Sequence, residues 1–441
     1  MKNTPPTFEI RPKIIPRAEH NISRDDISKN ALKVLYRLHN AGYQAFLVGG
    51  CVRDELLELH PKDFDVATNA LPEEVKALFG NCRLIGRRFR LAHVRFGPEV
   101  IEVATFRASV ADEEDHADAV KDTHGRILRD NVYGTVDEDV WRRDFTCNAL
   151  YYNIADFSVW DYVGGVEDIR RRRLVLIGDS QRRLREDPVR MLRAVRFAAK
   201  LGFTIDDDVA KAMHECVGLL ASVPAARLFD EFLKMFQAGH AERTFELLWQ
   251  YHLFDQLFPA TARELDRSEA FGRFVQAALV NTDRRIAEGK SVTPMFLLGV
   301  FFWEPVRQHA ARLTGEEGGS ESHALAVAAF ELSSEQQRII SIPKRFTGPM
   351  REMLALQPRF DVMRGRRALN LLEHRRFRAA YDFLMLRAEA GDADPQTAKF
   401  WTEVQLQSPD ERQKAFEISG PARKSGKKRR PRRRRRPVGE S

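Results

Sequence analysis

Hydrophobic residues recur along this chain with two different periods, which predict mainly short strands early and helices later. The apolar run at residues 45–48 and the β-branched run at residues 100–106 have the length of strands. Residues 61–68, 157–163 and 173–177 are similar in length and character. From Asp187 to about Gln405, almost every segment carries its apolar residues at helical spacing instead.

Three helices are also predicted among the early strands, at residues 52–59, 72–79 and 144–152. A fourth precedes them, where an apolar face recurs at helical spacing and ends before Gly42. We expect Ser23 and Asp26 to cap this helix in the manner of a capping box. Its apolar face consists of Ile27, Ala31, Val34, Leu35 and Leu38.

These elements predict an α/β head followed by an all-α body. We expect an irregular lead-in at 1–22, the head at 23–185, a helical neck at 186–260, the body at 261–410 and a disordered basic tail at 411–441. Within the head, the acid-rich stretch 109–131 has little apolar content and is predicted to be a mobile loop.

Composition excludes several classes of protein. The longest strongly apolar run, residues 295–303, is far short of the ~20 residues that span a bilayer, so we expect no transmembrane segment. The first 20 residues lack the apolar core of a signal peptide. The four cysteines have neither zinc-site nor disulfide-scaffold spacing, which suits a reducing compartment, so a cytoplasmic location is predicted.

The positive charge is concentrated at the end of the chain. Residues 421–441 hold eleven Lys and Arg, among them Arg432 and Arg433, against one acid, a charge of +10. Subtracting this from the total of +8 leaves −2 for residues 1–420. Such a segment either binds a polyanion such as RNA or merely keeps the protein in solution.

Asp63 and Asp65 are the first candidate catalytic residues. In a strand at 61–68 they would point to the same face, because side chains alternate with a period of two. Two close carboxylates favour a cation between them, and hard oxygen ligands suit Mg²⁺. Glu102, on the strand predicted at 100–106, could add a third oxygen ligand. A solvated strand end is the alternative.

A diglycine turn precedes these acids. Gly49 and Gly50 lie between a predicted strand and a predicted helix, where the backbone can approach a phosphate closely, and Arg53 adds a forked donor. An ordinary tight turn is the alternative. Phosphate-binding and metal-binding groups within 17 residues favour nucleotidyl transfer, in which metal ions and positioning supply most of the rate.

Three ordered segments carry a family resemblance: residues 47–57 with Asp63 and Asp65, residues 142–150, and residues 186–197. They resemble the motifs of class II nucleotidyltransferases, the group that contains tRNA CCA-adding enzymes and bacterial poly(A) polymerases. The resemblance implies a polymerase-β-like head, with Asp63 and Asp65 as metal ligands and Arg53 at the triphosphate. It also implies that Arg142, Arg143 and Asp144 lie near the ribose and phosphates.

Two assignments within these motifs stay open. The third catalytic carboxylate is either Asp144, which the family commonly groups with the other two, or Glu102, which the strand geometry favours. The resemblance implies that Asp187 and Arg190 recognise the base, whereas Asp187 before a proline could simply cap a helix. Arg193 and Arg196 continue the same row, as nucleotide contacts or as ion-paired surface residues.

The segment 84–94 resembles the signature of poly(A) polymerases rather than that of CCA-adding enzymes, and its Arg87 and Arg88 are candidate RNA contacts. We therefore expect template-independent transfer of AMP from ATP to RNA 3′ ends, with two Mg²⁺ ions, by a monomeric protein. CCA addition to tRNA is the first alternative, and a non-catalytic RNA-binding adaptor is the second.

The body is expected to hold the RNA, which is predicted to be single-stranded at its 3′ end. The candidate contacts there are Arg375, Arg376 and Arg378, although scattered surface cations are often only solvated. RNA-decay or RNA-chaperone proteins are the predicted protein partners.

Overall fold

The computed structural model describes residues 11–86, 90–108, 120–121, 127–129, 132–317 and 320–416. Two compact units divide the chain. The first runs to Pro259 and also includes residues 282–290 and 339–341. The second contains residues 260–281 and 291–338 and continues from Ile342.

An eight-stranded sheet forms the centre of the first unit, in the order β1, β10, β9, β2, β3, β6, β5, β4. Strands β3 and β6 are parallel, whereas the other neighbouring strands of this sheet are antiparallel. Its strands are β1 (Lys13–Ile15), β2 (Ala45–Val48), β3 (Asp65–Thr68), β4 (Cys82–Ile85), β5 (Leu91–Phe96), β6 (Glu99–Thr105), β9 (Leu150–Asn153) and β10 (Val159–Asp161).

Two further pairs of strands are short. β7 (Val120–Lys121) pairs antiparallel with β8 (Ile127–Arg129), inside the stretch that we predict to be a loop; the rest of that stretch between 109 and 131 lies outside the described residues. β11 (Arg173–Leu174) pairs parallel with β12 (Thr204–Ile205), which interrupts the long helical region.

Helix α1 (Lys29–Asn40) begins later than the sequence predicts. Ser28 is its N-cap, and the hydroxyl of Ser28 accepts hydrogen bonds from the backbone N–H groups of Asn30 and Ala31 at 3.2 and 3.5 Å. Ser23 instead closes a turn before the helix, where its carbonyl accepts from the N–H of Asp26. The predicted apolar face is buried as expected, because the cap does not alter the helical spacing.

The predicted helix at residues 144–152 is wrong. The helix α4 (Val136–Arg142) ends before it, and a 3₁₀ turn at Thr146–Asn148 leads directly into β9. Leu150, Tyr151 and Tyr152 are completely buried in the sheet, and burial on both faces removes the polar alternation that identifies a strand in sequence.

Helices complete the first unit. The short helices of the head are α2 (Gly50–Leu56), α3 (Pro72–Leu78), α4, α5 (Gly165–Arg170) and α6 (Ser180–Glu186). The helices that follow are α7 (Val189–Leu201), α8 (Asp207–Cys216), α9 (Ala225–Phe236), α10 (Ala241–Gln250) and α11 (Leu253–Leu257).

The remaining helices continue to the end of the described chain. They are α12 (Pro259–Leu265), α13 (Glu269–Ala287), α14 (Pro294–Glu317), α15 (Glu321–Gln336), α16 (Lys344–Ala355), α17 (Gly365–Leu372), α18 (Phe377–Glu389), α19 (Pro395–Leu406) and α20 (Pro409–Ala415). Within the described ranges, none of the helices combines the length and apolar character that crossing a membrane requires.

All four cysteines are free and buried. Burial raises the pKa of Cys51 and of Cys147 to about 12.

Candidate active site

Asp65 and Glu102 lie side by side on the two parallel strands at the centre of the sheet. Asp65 opens β3, and its Cα partner in the register of β6 is Glu102. Strand β3 begins at Asp65, later than the start predicted at residue 61, so Asp63 lies two residues before the strand. Exposed Asp63 and Asp65 alternate with buried Phe64 and Val66, so the two acids occupy the same face.

Negative charge accumulates at this face. Desolvation, the charge of Glu102 and, more weakly, that of Asp63 raise the pKa of Asp65 to about 6, although the charge of Arg143 opposes them. His93, opposite Glu102 on β5, places its Nε2 3.3 Å from a Glu102 carboxylate oxygen. Among the described residues, no three His, Cys, Asp or Glu side chains form a complete metal-binding cluster by themselves.

The diglycine turn lies next to these carboxylates, because Gly49 follows β2, the neighbour of β3. Gly49 has φ +75° and ψ −130°, a conformation that favours glycine. A Cβ atom at Gly49 would lie 3.4 Å from Nη1 of Arg143, and one at Gly50 would lie 3.5 Å from Nη2 of Arg53. The turn therefore keeps two guanidinium groups close to the backbone.

Arg143 is held in place by the residues around it. Its Nε donates to the Tyr151 hydroxyl at 2.8 Å, and its Nη2 forms an ion pair with Asp139 at 3.1 Å. Burial lowers the pKa of Arg143, but Tyr151 and Asp139 outweigh that effect and raise it. The neighbouring Arg142 donates to the carbonyl of Ala108 at 3.0 Å. Arg143 is thus a fixed cation beside the glycine turn.

Arg53 is buried, with 2% of its surface exposed. Its guanidinium donates to Asp54 and to the side-chain oxygen of Asn148, and lies 5.2 Å from the centre of the Phe197 ring. Our expectation of a direct contact with the triphosphate would therefore require these internal bonds to be exchanged.

Asp144 is paired with a base-motif arginine. Arg193 donates to the Asp144 carboxylate at 2.6 Å, and the N–H of Phe145 and the amide of Asn148 donate to it as well. Burial raises the pKa of Asp144, but Arg193 and these hydrogen bonds outweigh it and lower the pKa overall. This carboxylate is largely buried and bound by an arginine, whereas Glu102 is half exposed and lies next to His93.

The two residues predicted to recognise the base are each held by another partner. Asp187 binds Arg227 of α9 through both carboxylate oxygens, at 2.9 and 2.7 Å. Asp187 also accepts from the N–H of Val189 at 3.3 Å, although α7 itself begins at Val189 with Pro188 as N-cap, one residue later than predicted. Arg190 donates to the carbonyl of Arg183 and pairs with Glu186.

Phe197 and Lys200 contact the predicted site residues or their partners, and our sequence analysis did not single them out. The guanidinium carbons of Arg53, Arg193 and Arg196 lie 5.2, 5.2 and 4.6 Å from the centre of the Phe197 ring. Lys200 binds Asp54 at 3.0 Å, and Arg196 lies 3.5 Å from Glu231. Helical spacing from Arg193 through Phe197 to Lys200 was the available signal.

The predicted RNA contacts fall into two groups. Arg375 and Arg376 both pair with Glu352, and Arg378 pairs with Asp382. Arg87, Arg88, Arg432 and Arg433 lie outside the described residues.

Three family models match separate parts of the chain. Residues 45–175 match a model described as the poly A polymerase head domain, and residues 202–265 match a probable RNA- and SrmB-binding site of polymerase A. Residues 317–437 match the polymerase A arginine-rich C-terminus.

Named relatives differ in how much of the chain they match. Poly(A) polymerase I of Escherichia coli O157:H7 is 50% identical over 401 residues, which cover 90% of this chain and 86% of that protein. The CCA-adding enzyme of Lactobacillus helveticus is 35% identical over 232 residues, 53% of this chain and 56% of that protein. Among solved structures, the Bacillus stearothermophilus CCA-adding enzyme in complex with CTP superposes with a TM-score of 0.54 at 26% identity, covering 85% of this chain and 80% of that one.

Proposed function

The chain belongs to the poly(A) polymerase I family, and from this premise we propose that it transfers AMP from ATP to the 3′-hydroxyl of RNA. The observation that carries the proposal is the juxtaposition of Asp65 and Glu102 on parallel strands beside the Gly49 turn. CCA addition is less well supported, because the CCA-adding relatives match only about half of the chain.

The reaction joins the RNA 3′-oxygen to the α-phosphorus of ATP. The bond between that phosphorus and the bridging oxygen breaks, and pyrophosphate leaves with the electron pair of that bond. A reaction of this type depends chiefly on positioning and on the stabilisation of charge on the phosphates.

The carboxylates could supply part of the ligand set of a divalent cation. Asp63, Asp65 and Glu102 concentrate negative charge, and the raised pKa of Asp65 reflects that concentration together with desolvation. Mg²⁺ commonly binds one or two carboxylates and completes its coordination with phosphate oxygens and water. We propose that Asp63 and Asp65 hold two Mg²⁺ ions, with Glu102 as the third acid; bound there, the metal would activate the hydroxyl and neutralise phosphate charge.

The remaining residues position the nucleotide. Gly49 leaves room for phosphate oxygens, and Arg143, fixed by Asp139 and Tyr151, offers a nearby positive charge. Arg53 supports the turn from beneath through Asp54 and Asn148. We propose that Asp187 and Arg190 recognise adenine, which requires the base to replace part of their pairing with Arg227 and Glu186.

RNA is the proposed polymeric substrate, bound by its single-stranded 3′ end. Two observations support this proposal. The segment 202–265 matches a probable RNA-binding site, and the tail holds eleven Lys and Arg.

Asp65→Asn tests the activity. We expect AMP incorporation into an unstructured RNA oligomer to fall by at least about 100-fold, because several kcal/mol of charge stabilisation would be lost. The measurement is incorporation of radiolabelled nucleotide with each of the four NTPs supplied separately, together with pyrophosphate release.

Glu269→Gln is the matched control, because Glu269 lies in the second unit with 98% of its side chain exposed. Its activity should equal that of the unmodified chain. Incorporation of CTP at tRNA ends would favour CCA addition, and the absence of pyrophosphate release with every nucleotide would favour the adaptor. Undiminished activity of Asp65→Asn would contradict the proposed role of the carboxylates.

A further inference from the structure

Phe330 is an exposed aromatic ring on α15, in the second unit. With 57% of its surface exposed, it is the one aromatic residue among the large apolar side chains that the described part of the chain exposes. Its backbone carbonyl accepts from the hydroxyls of Ser333 and Ser334, so the helix around it is well hydrogen-bonded. More than half of the residue's surface therefore remains accessible to a binding partner.

Arg351 of α16 lies against this ring. Its guanidinium carbon is 5.1 Å from the ring centre, which is the distance of a cation–π contact. No acidic side chain of the described residues forms an ion pair with Arg351, so its charge is not neutralised within that part of the protein. An aromatic face next to an unpaired guanidinium is suited to a ligand that has both a flat ring and an anionic group.

Lys344 and Arg345 extend the positive charge along α16. Lys344 and Arg351 are seven residues apart and therefore occupy the same side of the helix, about 10 Å from each other. Both Lys344 and Arg345 are exposed, and neither has an acidic partner in the part of the chain that the structure describes. Gly348, between them and Arg351, leaves the helix surface open, since a Cβ there would meet nothing within 4 Å.

The three arginines that we predicted as RNA contacts in the body each have an acidic partner, unlike the cations of α16. Arg375 and Arg376 share Glu352, which follows Arg351 directly, and Arg378 is paired with Asp382. A new phosphate contact at these three residues would have to compete with a carboxylate already in place. The unpaired cations of α16 have no such competitor.

We propose that Phe330 and Arg351 form a stacking site for a base of single-stranded RNA, with Lys344 and Arg345 contacting the adjoining phosphates. The inference rests on the proposed function for its choice of RNA as the ligand. Single-stranded RNA fits because its unpaired bases can stack on an exposed ring, whereas the bases of a duplex are already stacked on each other. Charge complementarity with the three unpaired cations favours the same occupant.

Phe330→Ala is the principal test, with affinity for a single-stranded oligoadenylate as the readout. We expect about 5- to 150-fold weaker binding, the range that loss of one stacked base produces. Binding to an oligomer of equal length with abasic sugars should change little, because only the base contact is removed. Phe330→Trp should bind the oligomer as the unmodified chain does, because an aromatic ring is kept. Arg351→Gln should lower the slope of log Kd against log salt by about 0.7.

Leu406→Ala and Lys399→Gln are the matched controls. Leu406 is 86% exposed on α19, and Lys399 is an exposed cation on the same helix. Neither should alter the affinity for oligoadenylate. Unchanged binding of Phe330→Ala, or equal losses on the normal and abasic oligomers, would overturn the stacking site.

The two proposals fail separately. Oligomer binding requires no catalysis, so a chain that incorporated no AMP could still show base-dependent binding at Phe330. Conversely, AMP transfer that persists in Phe330→Ala, with unchanged oligomer affinity, would leave the proposed function intact and remove the stacking site.

Discussion

Glu55 is a carboxyl group that the fold keeps away from water. It is buried on α2, and among the described residues one of its carboxylate oxygens has no hydrogen-bond partner. Burial is the main cause that raises the pKa of Glu55 to about 7, with the negative charge of Asp26 adding to it. Near neutral pH this residue therefore destabilises the folded head when it is ionised.

Glu55→Gln should increase the free energy of unfolding at pH 8 by about 1 to 3 kcal/mol. The folded state holds the proton more tightly than the unfolded chain, whose pKa is near 4.5. Stability from this group is thus fully present below pH 4.5 and is lost as pH rises through about 7. Denaturant unfolding of both proteins at pH 4.5, 6 and 8 measures the difference.

Glu58→Gln is the control, because Glu58 is exposed just beyond the same helix. This substitution should leave the pH dependence of the free energy of unfolding as it is in the unmodified chain. If Glu55→Gln kept the full decrease in stability between pH 4.5 and 7, the decrease would have another origin.

At the scale of residues, local motifs could be predicted and long-range partners could not. Asp63, Asp65 and Gly49 are close in sequence, so spacing and glycine chemistry were sufficient to bring them together. Arg227 follows Asp187 by 40 residues, and no periodic pattern links the two. The buried position of Arg53 was likewise hidden, because its partner Asn148 lies 95 residues away.

Glu102 and Asp144, the two candidates for the third acid of the site, are supplied by different elements. Glu102 comes from β6, next to Asp65, and 48% of its side chain is exposed. Asp144 comes from the loop after α4 and is bound to Arg193 on α7. The first arrangement leaves a half-exposed carboxylate beside His93, which a cation could reach, whereas the second joins a helix to a loop through a largely buried ion pair.

Glu102→Gln should therefore lower the rate of AMP incorporation by at least about tenfold at an unchanged melting temperature. Asp144→Asn should instead lower the free energy of unfolding by about 1 to 3 kcal/mol, since it weakens a largely buried ion pair. Thermal unfolding and initial rates, measured on both variants, separate the two roles. A stable but inactive Asp144→Asn beside an active Glu102→Gln would reverse the assignment.

The body of a helix with clear hydrophobic spacing was predicted well. A helix start with two possible caps and a strand without polar alternation were not. The spacing in α1 is unmistakable, yet Ser23 and Ser28 both suit an N-cap, and only tertiary contacts select Ser28. Those contacts include a hydrogen bond from Asn30 to Glu99 at 2.5 Å. Residues 150–153 form a strand that is buried on both faces. Its sequence therefore lacks the alternation of polar and apolar residues that would identify a strand.

Over the whole molecule, the formal charge is distributed very unevenly. Residues 421–441 carry +10 while the rest of the chain carries −2. Most of the long-range attraction that we propose for RNA would therefore come from this segment, whereas the proposed nucleotide chemistry lies at the sheet of the first unit.

Deletion of residues 421–441 should weaken RNA binding and reduce its salt dependence by several units of slope. Each phosphate neutralised on a single strand contributes about 0.7 to the slope of log K against log salt. Titrations with the same oligomer at several salt concentrations measure the change. The affinity for ATP should stay the same.

Replacing the same eleven Lys and Arg by Gln, at full length, is the matched control for chain length. It should reproduce the effect of the deletion. An unchanged salt slope in both variants would mean that the segment makes no contact with RNA.

The division into a head and a helical region was predictable because hydrophobic periodicity changes near Asp187. The assignment of residues 282–290 and 339–341 to the first unit was not, because both lie far along the chain within an almost uniformly helical pattern. Short segments that return to an earlier unit are selected by packing surfaces rather than by their own composition.

The enclosed, protonated thiols make this chain convenient for spectroscopy. Since all four native sulfhydryls are shielded, a maleimide dye would react preferentially with a single cysteine introduced on the surface. Fluorophores attached in this way could report the binding of a nucleotide or an RNA oligomer near a chosen element, with the natural sequence otherwise unaltered.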